Sequence, residues 1–131
     1  MLIIVCGMIG SGKSTWAKQQ NGIVSDFDEI GSKEKQIDFT LTELGQGKTV
    51  YHITCYPTSG EQSAFCNLDK KYVWMNTIMS QCRYNILARG RQRDFINFDE
   101  TLASNEVINS KYKSSNIKFE VVNLFETNER W

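Results

Sequence analysis

A continuous apolar run, Leu2-Ile3-Ile4-Val5-Cys6, passes directly into Gly7-Met8-Ile9-Gly10-Ser11-Gly12-Lys13-Ser14. The run is rich in β-branched residues and lacks polar alternation, the pattern of a strand covered on both faces of a parallel sheet. The segment after it fills every fixed position of G-x-x-x-x-G-K-S/T, and residues 13–20 then read as a helix closing at Asn21-Gly22. Glycines allow backbone angles that point successive N–H groups at an anion, and the helix turns its positive end to the same place. Strand, loop and helix in this order predict a triphosphate-binding set comprising Gly7, Met8, Ile9, Gly10, Ser11, Gly12, Lys13, Ser14 and Thr15. Lys13 is expected to reach the β and γ phosphates of ATP, and the Ser14 hydroxyl to bind Mg2+ (magnesium).

The rest of the chain alternates between two periodicities. Ile23-Val24-Ser25 reads as a second strand closing on Asp26-Phe27-Asp28-Glu29, and Ile37, Phe39, Leu41 and Leu44 mark a helix that ends near Gly45-Gln46-Gly47. Residues 49–56 (TVYHITCY) have strong strand propensity and stop at Pro57. Thr58 or Ser59 followed by Glu61 or Gln62 is a capping-box pattern opening a short helix. Residues 72–75 read as a fourth strand, 79–89 and 102–112 as helices, and 117–125 as a fifth strand. This alternation predicts βαβ units around a mainly parallel sheet with helices on both faces, in one α/β domain spanning 1–131.

A chain of 131 residues is sized for one domain with a real core. Its 15 Lys plus Arg balance 15 Asp plus Glu, which removes any general attraction to nucleic acid or acidic membranes. The zero total hides a segregation: four of the five arginines, Arg83, Arg89, Arg91 and Arg93, lie close together, while acids gather after the second strand. The apolar start is too short for a secretory or spanning segment, so no membrane association is expected. Cys6, Cys55, Cys66 and Cys82 form no C-x-x-C pair. Cys6 and Cys55 sit inside strand-like runs, and reduced thiols in a cytoplasmic protein are expected.

A phosphate-binding loop serves motors, switches, pumps and kinases, so the reaction must be read elsewhere. No later apolar run ends in Asp in the Walker B manner, since 49–56 leads into Pro57-Thr58 and 72–75 into Asn76-Thr77. Asp26 and Asp28 follow the second strand instead, and ligands of an open parallel sheet bind beyond the carboxyl ends of its strands. A carboxylate there accepts the proton of an acceptor hydroxyl or helps hold Mg2+; in the plain structural alternative, Asp28 caps the next helix. The arginines begin on a helix and run past Gly90, giving an expected lid around 83–95. Their guanidinium groups would stabilise charge on the transferring phosphoryl group and exclude water; the alternative is a solvated face paired with acids such as Asp94.

The segments GMIGSGKSTWAKQ, SDFDEI and VWMNTIMSQCRYNILARGRQR together resemble the small P-loop kinases related to 5′-hydroxyl polynucleotide kinase, which include many nucleoside and nucleotide kinases. The resemblance covers residues 1–94. It implies a P-loop NTPase three-layer α/β/α sandwich with a five-stranded sheet in the order 2-3-1-4-5, a general base after the second strand, and lid arginines. Carried across residue by residue, the strand-acid-Glu-Ile pattern fits Phe27-Asp28-Glu29-Ile30, which makes Asp28 the base candidate and Asp26 the runner-up. The lid arginines map to Arg89 and Arg93, with Arg91 between them. Gly31 stands where relatives often carry a basic residue. Tyr56-Pro57-Thr58 replaces an acid that many carry after the third strand, and Glu61 is a substitute whose capping-box role competes.

The implied activity is Mg2+-assisted transfer of the ATP γ-phosphoryl group to a nucleic-acid 5′-hydroxyl end, a nucleoside or a nucleotide. Lys13, Asp28 or Asp26, Arg89 and Arg93 would be the catalytic groups. Two rivals are an ATP-binding or slowly ATP-hydrolysing regulatory domain without acceptor chemistry, and a kinase acting on a sugar nucleotide or other metabolite. Trp16 reads as packing rather than base stacking, and His52 as a satisfied core or edge residue. Tyr51, Tyr56, Trp74 and Tyr84 read as core or cross-strand aromatics, with stacking on an acceptor base as the functional alternative.

Overall fold

A computed structural model describes residues 1–91 and 97–125. Arg93, Asp94 and Trp131 lie outside the described residues. Strand β1 (Leu2–Cys6) is buried at every position because it pairs on both sides, with β3 (Val50–Ile53) and β4 (Lys70–Met75). β2 (Ile23–Asp26) pairs with β3, and β5 (Phe119–Val122) with β4. All four pairings are parallel, and the sheet order is β2-β3-β1-β4-β5.

Side chains of a strand alternate between faces, so β1 feeds two cores. Leu2, Ile4 and Cys6 join Met8, Phe65, Trp74 and Cys82 on one face. That face is covered by α3 (Lys33–Gly45), α5 (Met79–Arg89) and α6 (Phe98–Lys113), through Ile37, Leu44, Cys82, Ile108 and Tyr112. Ile3 and Val5 join Ala17, Ile53, Val73 and Met75 on the other, where α1 (Lys13–Lys18) packs through Trp16 and Ala17. Two short helices, α2 (Phe27–Ile30) and α4 (Ser59–Ala64), follow β2 and β3. The result is a three-layer α/β/α sandwich with the expected strand order.

The aromatics mostly divide as core. Trp74 stacks on Tyr112 with centroids 3.9 Å apart, and Trp16 meets Tyr51 edge-on at 5.8 Å. Tyr84 does not follow that reading, being 67% exposed on α5. β3 is also shorter than its propensity suggests. It stops at Ile53, so Cys55 leaves the strand and sits half-buried at the carboxyl edge.

Candidate active site

The loop between β1 and α1 is held by its carbonyls. Lys13 Nζ donates to Gly7 O at 3.0 Å and to Met8 O at 2.8 Å, with Cys55 Sγ at 3.7 Å. Asn105 Nδ2 donates to Ile9 O at 3.0 Å, Asn85 Nδ2 to Gly10 O at 2.8 Å, and Thr77 Oγ1 to Ser11 O at 2.7 Å. Every carbonyl from Gly7 to Ser11 thus has a protein donor, as buried backbone requires. Two positions demand glycine: Gly10 (φ 81°) and Gly12 (φ 94°) are left-handed, and a Cβ on Gly10 would sit 2.6 Å from Cys82 O. The start of α1 has no side-chain cap and no acid in its first turn, which leaves its N–H groups to an anion.

Beside the loop, Ser14 Oγ donates to Asp26 Oδ2 at 2.8 Å. Asp26 is the last residue of β2 and nearly buried; its other oxygen accepts from Asp28 N at 3.0 Å and so caps α2. The capping role foreseen for Asp28 therefore falls two residues earlier, to Asp26, because α2 begins at Phe27, while Ser32 caps α3. Asp28 is partly exposed, and Arg91 Nη1 meets its Oδ2 at 3.0 Å. Ser14, Asp26, Asp28 and Arg91 are linked contact by contact along the carboxyl edge of the sheet.

The predicted arginines fall in different places. Arg83 lies over the Phe98 ring at 5.9 Å and ties α5 to α6. Arg89 closes the last turn of α5, after which Gly90 (φ 65°) turns the chain out of the helix. Arg91 reaches Asp28, and Arg93 is outside the described residues.

Glu61 has no place beside Ser14. It completes a capping box with Thr58, its carboxylate buried against Lys33 Nζ at 3.1 Å, Thr54 Oγ1 at 3.0 Å and His52 Nε2. Burial alone would raise its pKa, but the His52 hydrogen bond, the Thr58 amide and the Lys33 charge together lower it to about 2. His52 Nδ1 lies 2.7 Å from Thr40 Oγ1, which donates to Ser25 Oγ at 2.8 Å. His52 is accordingly a satisfied core residue. Among the described residues no group of three His, Cys, Asp or Glu could hold a metal. The donors that do fit Mg2+ are the adjacent oxygens of Ser14 and Asp26, since this ion keeps several waters and takes one or two carboxylates plus phosphates.

Sequence reasoning missed Thr77, Asn85 and Asn105. The signal for Asn105 was present, because it interrupts the apolar stripe Leu102, Ile108, Tyr112 of α6 at helical spacing. It is 2% exposed.

No family model matches the sequence, and no curated protein is significantly similar to it. Solved structures do match. Deoxyadenosine kinase from M. mycoides with bound dCTP aligns at a TM-score of 0.55 and 16% identity, covering 94% of this chain and 90% of that one. The same enzyme with bound dATP gives 0.54 and 16%, covering 94% and 91%. The YorR protein from Bacillus subtilis, in complex with phosphorylated GDP, gives 0.58 and 13%, covering 94% and 85%. At such identities what is shared is the fold. Among the described residues no helix is long and apolar enough to cross a membrane.

Proposed function

We propose that this chain is an ATP-dependent kinase that transfers the γ-phosphoryl group to a nucleoside or nucleotide. The observation that carries this reading is the series of contacts Ser14–Asp26–Asp28–Arg91 along one edge of the sheet. It puts a carboxylate pair and a guanidinium beside the phosphate loop, the charge division that phosphoryl transfer uses. The deoxynucleotides bound to the deoxyadenosine kinase and the phosphorylated GDP bound to YorR favour a nucleoside or nucleotide acceptor over a nucleic-acid end.

In this reading Lys13, with the amides of the loop and of the first turn of α1, positions the triphosphate. Ser14 and Asp26 would hold Mg2+, which when bound supplies charge neutralisation at the phosphates. Asp28, the more exposed of the two acids, accepts the proton of the acceptor hydroxyl. The acceptor oxygen forms its bond to phosphorus as the bond between phosphorus and the β–γ bridging oxygen breaks, and ADP leaves. Arg91, with Arg89 and Arg93, stabilises charge on the phosphoryl oxygens.

The test is transfer of labelled γ-phosphate to a panel of deoxynucleosides, nucleosides, nucleoside monophosphates and 5′-hydroxyl oligonucleotides. Labelling of a nucleoside or nucleotide is expected. Labelling of oligonucleotide ends alone moves the acceptor to nucleic acid, and labelling of nothing with ATP binding intact favours the regulatory rival.

A further inference from the structure

The phosphate loop is held from outside by residues far along the chain. Asn105 pairs with the backbone of Ile9 through both ends of its amide: Oδ1 accepts from Ile9 N at 2.6 Å and Nδ2 donates to Ile9 O at 3.0 Å. Thr77, just past β4, donates its hydroxyl to Ser11 O. Both side chains are almost fully buried, so these bonds are not exchanged with solvent.

Peptide geometry gives these contacts a consequence inside the loop. Among the described residues no peptide is cis, so the C=O of one residue and the N–H of the next point in opposite directions. Fixing Ile9 O outward on Asn105 turns the Gly10 N–H the other way, and fixing Ser11 O on Thr77 does the same for Gly12 N–H. Asn85 on Gly10 O likewise directs Ser11 N–H, which in this structure donates to Met8 O at 3.0 Å. Ile9 N–H itself is committed to Asn105, outside any anion cradle. A glycine-rich loop loses much backbone freedom when ordered, and holding it in place beforehand lowers that cost at the moment of binding.

We propose that Asn105 and Thr77 are positioning residues that pre-form the triphosphate cradle by fixing the carbonyls of Ile9 and Ser11. Neither touches the nucleotide; both act through the backbone. The inference rests on the loop's reading as an ATP site and adds to it the residues that set its shape.

The test uses the near-isosteric variants Asn105→Leu and Thr77→Val, with Val50→Ala as a control that loosens the core at the amino end of β3, opposite the loop. Amide hydrogen exchange at Ile9 in the nucleotide-free protein reports the clamp without reference to ATP. Strong protection is expected in the wild type and its loss in Asn105→Leu, with β1 amides unchanged. Each loop variant is expected to weaken ATP binding about tenfold, about 1.4 kcal/mol, and to raise the KM for ATP while leaving that for the acceptor within about twofold. The control is expected to lower Tm and keep its ATP affinity. Loop variants that bind ATP as the wild type does, or no more weakly than the control, overturn the inference alone. A wild type that binds no ATP overturns it together with the kinase reading, and Ile9 exchange then still shows whether the clamp exists.

Discussion

Arg91 Nη1 lies 3.0 Å from Asp28 Oδ2, joining the segment after α5 to the segment after β2. These segments leave strands that are not neighbours, since β3 and β1 lie between β2 and β4. Three strand spacings, about 14 Å, are thus crossed over the carboxyl edge where the phosphate loop sits. Both side chains are more than a third exposed, so the pair contributes little to stability, about 0.2–1 kcal/mol. Its chemical effect is expected to be larger. Arg91→Ala should shift Tm only slightly yet lower kcat for phosphoryl transfer by about 100-fold, the usual cost of losing one donor to developing charge. Thermal melting beside steady-state kinetics checks the split; equal kcat in the two proteins would remove Arg91 from the site.

Asp26 and Asp28 are expected to fail differently. Asp26→Asn replaces a carboxylate oxygen at Ser14 by an amide and should raise the Mg2+ concentration needed for half-maximal activity. Asp28→Asn should lower kcat by about 100-fold or more with that Mg2+ dependence unchanged. Titrating Mg2+ for both variants separates the roles, and identical curves would contradict the division.

The buried Glu61 makes stability depend on acid. Its pKa in the folded protein, about 2, is below the ordinary value of 4.5, so its contribution is full above pH 4.5 and disappears as the pH falls through 2. Glu61→Gln, which leaves Lys33 and His52 without their carboxylate, should cost on the order of 3 kcal/mol at pH 7. Urea unfolding of both proteins between pH 7 and 2 should show the gap closing across that window. A gap independent of pH would remove the ionised carboxylate as its cause.

Thiol chemistry should track burial. Burial pushes Cys82 up to about 11 and holds Cys6 well above the usual thiol range, and both are sealed in the core, whereas Cys66 is exposed. Alkylation of the native protein at pH 8 should label Cys66 first and spare Cys6 and Cys82 until unfolding. Mass spectrometry of the labelled peptides decides it.

The sheet was legible in the sequence because β1 is apolar at both faces and the loop motif dictates a tight turn into a helix. Helices with polar inner faces were harder. α3 buries Gln36 and Thr40, which reach across to Ser25, His52 and Ile53, so its apolar periodicity is diluted. Asp26 and Asp28 could be named as a pair, but only packing separates them, since Asp26 has Ser14 above it and α2 starting beneath it. Thr77, Asn85 and Asn105 act on backbone carbonyls up to 96 positions away, a relation with no local spacing to betray it.

The most direct test of the central claim is a single-turnover measurement of labelled γ-phosphate from ATP, partitioned between a deoxynucleoside or nucleoside monophosphate acceptor and water, for the wild type and Asp28→Asn. Transfer to the acceptor is predicted in the wild type, and at least about 100-fold slower transfer in the variant. Release of inorganic phosphate alone, at the same rate in both proteins, would contradict it.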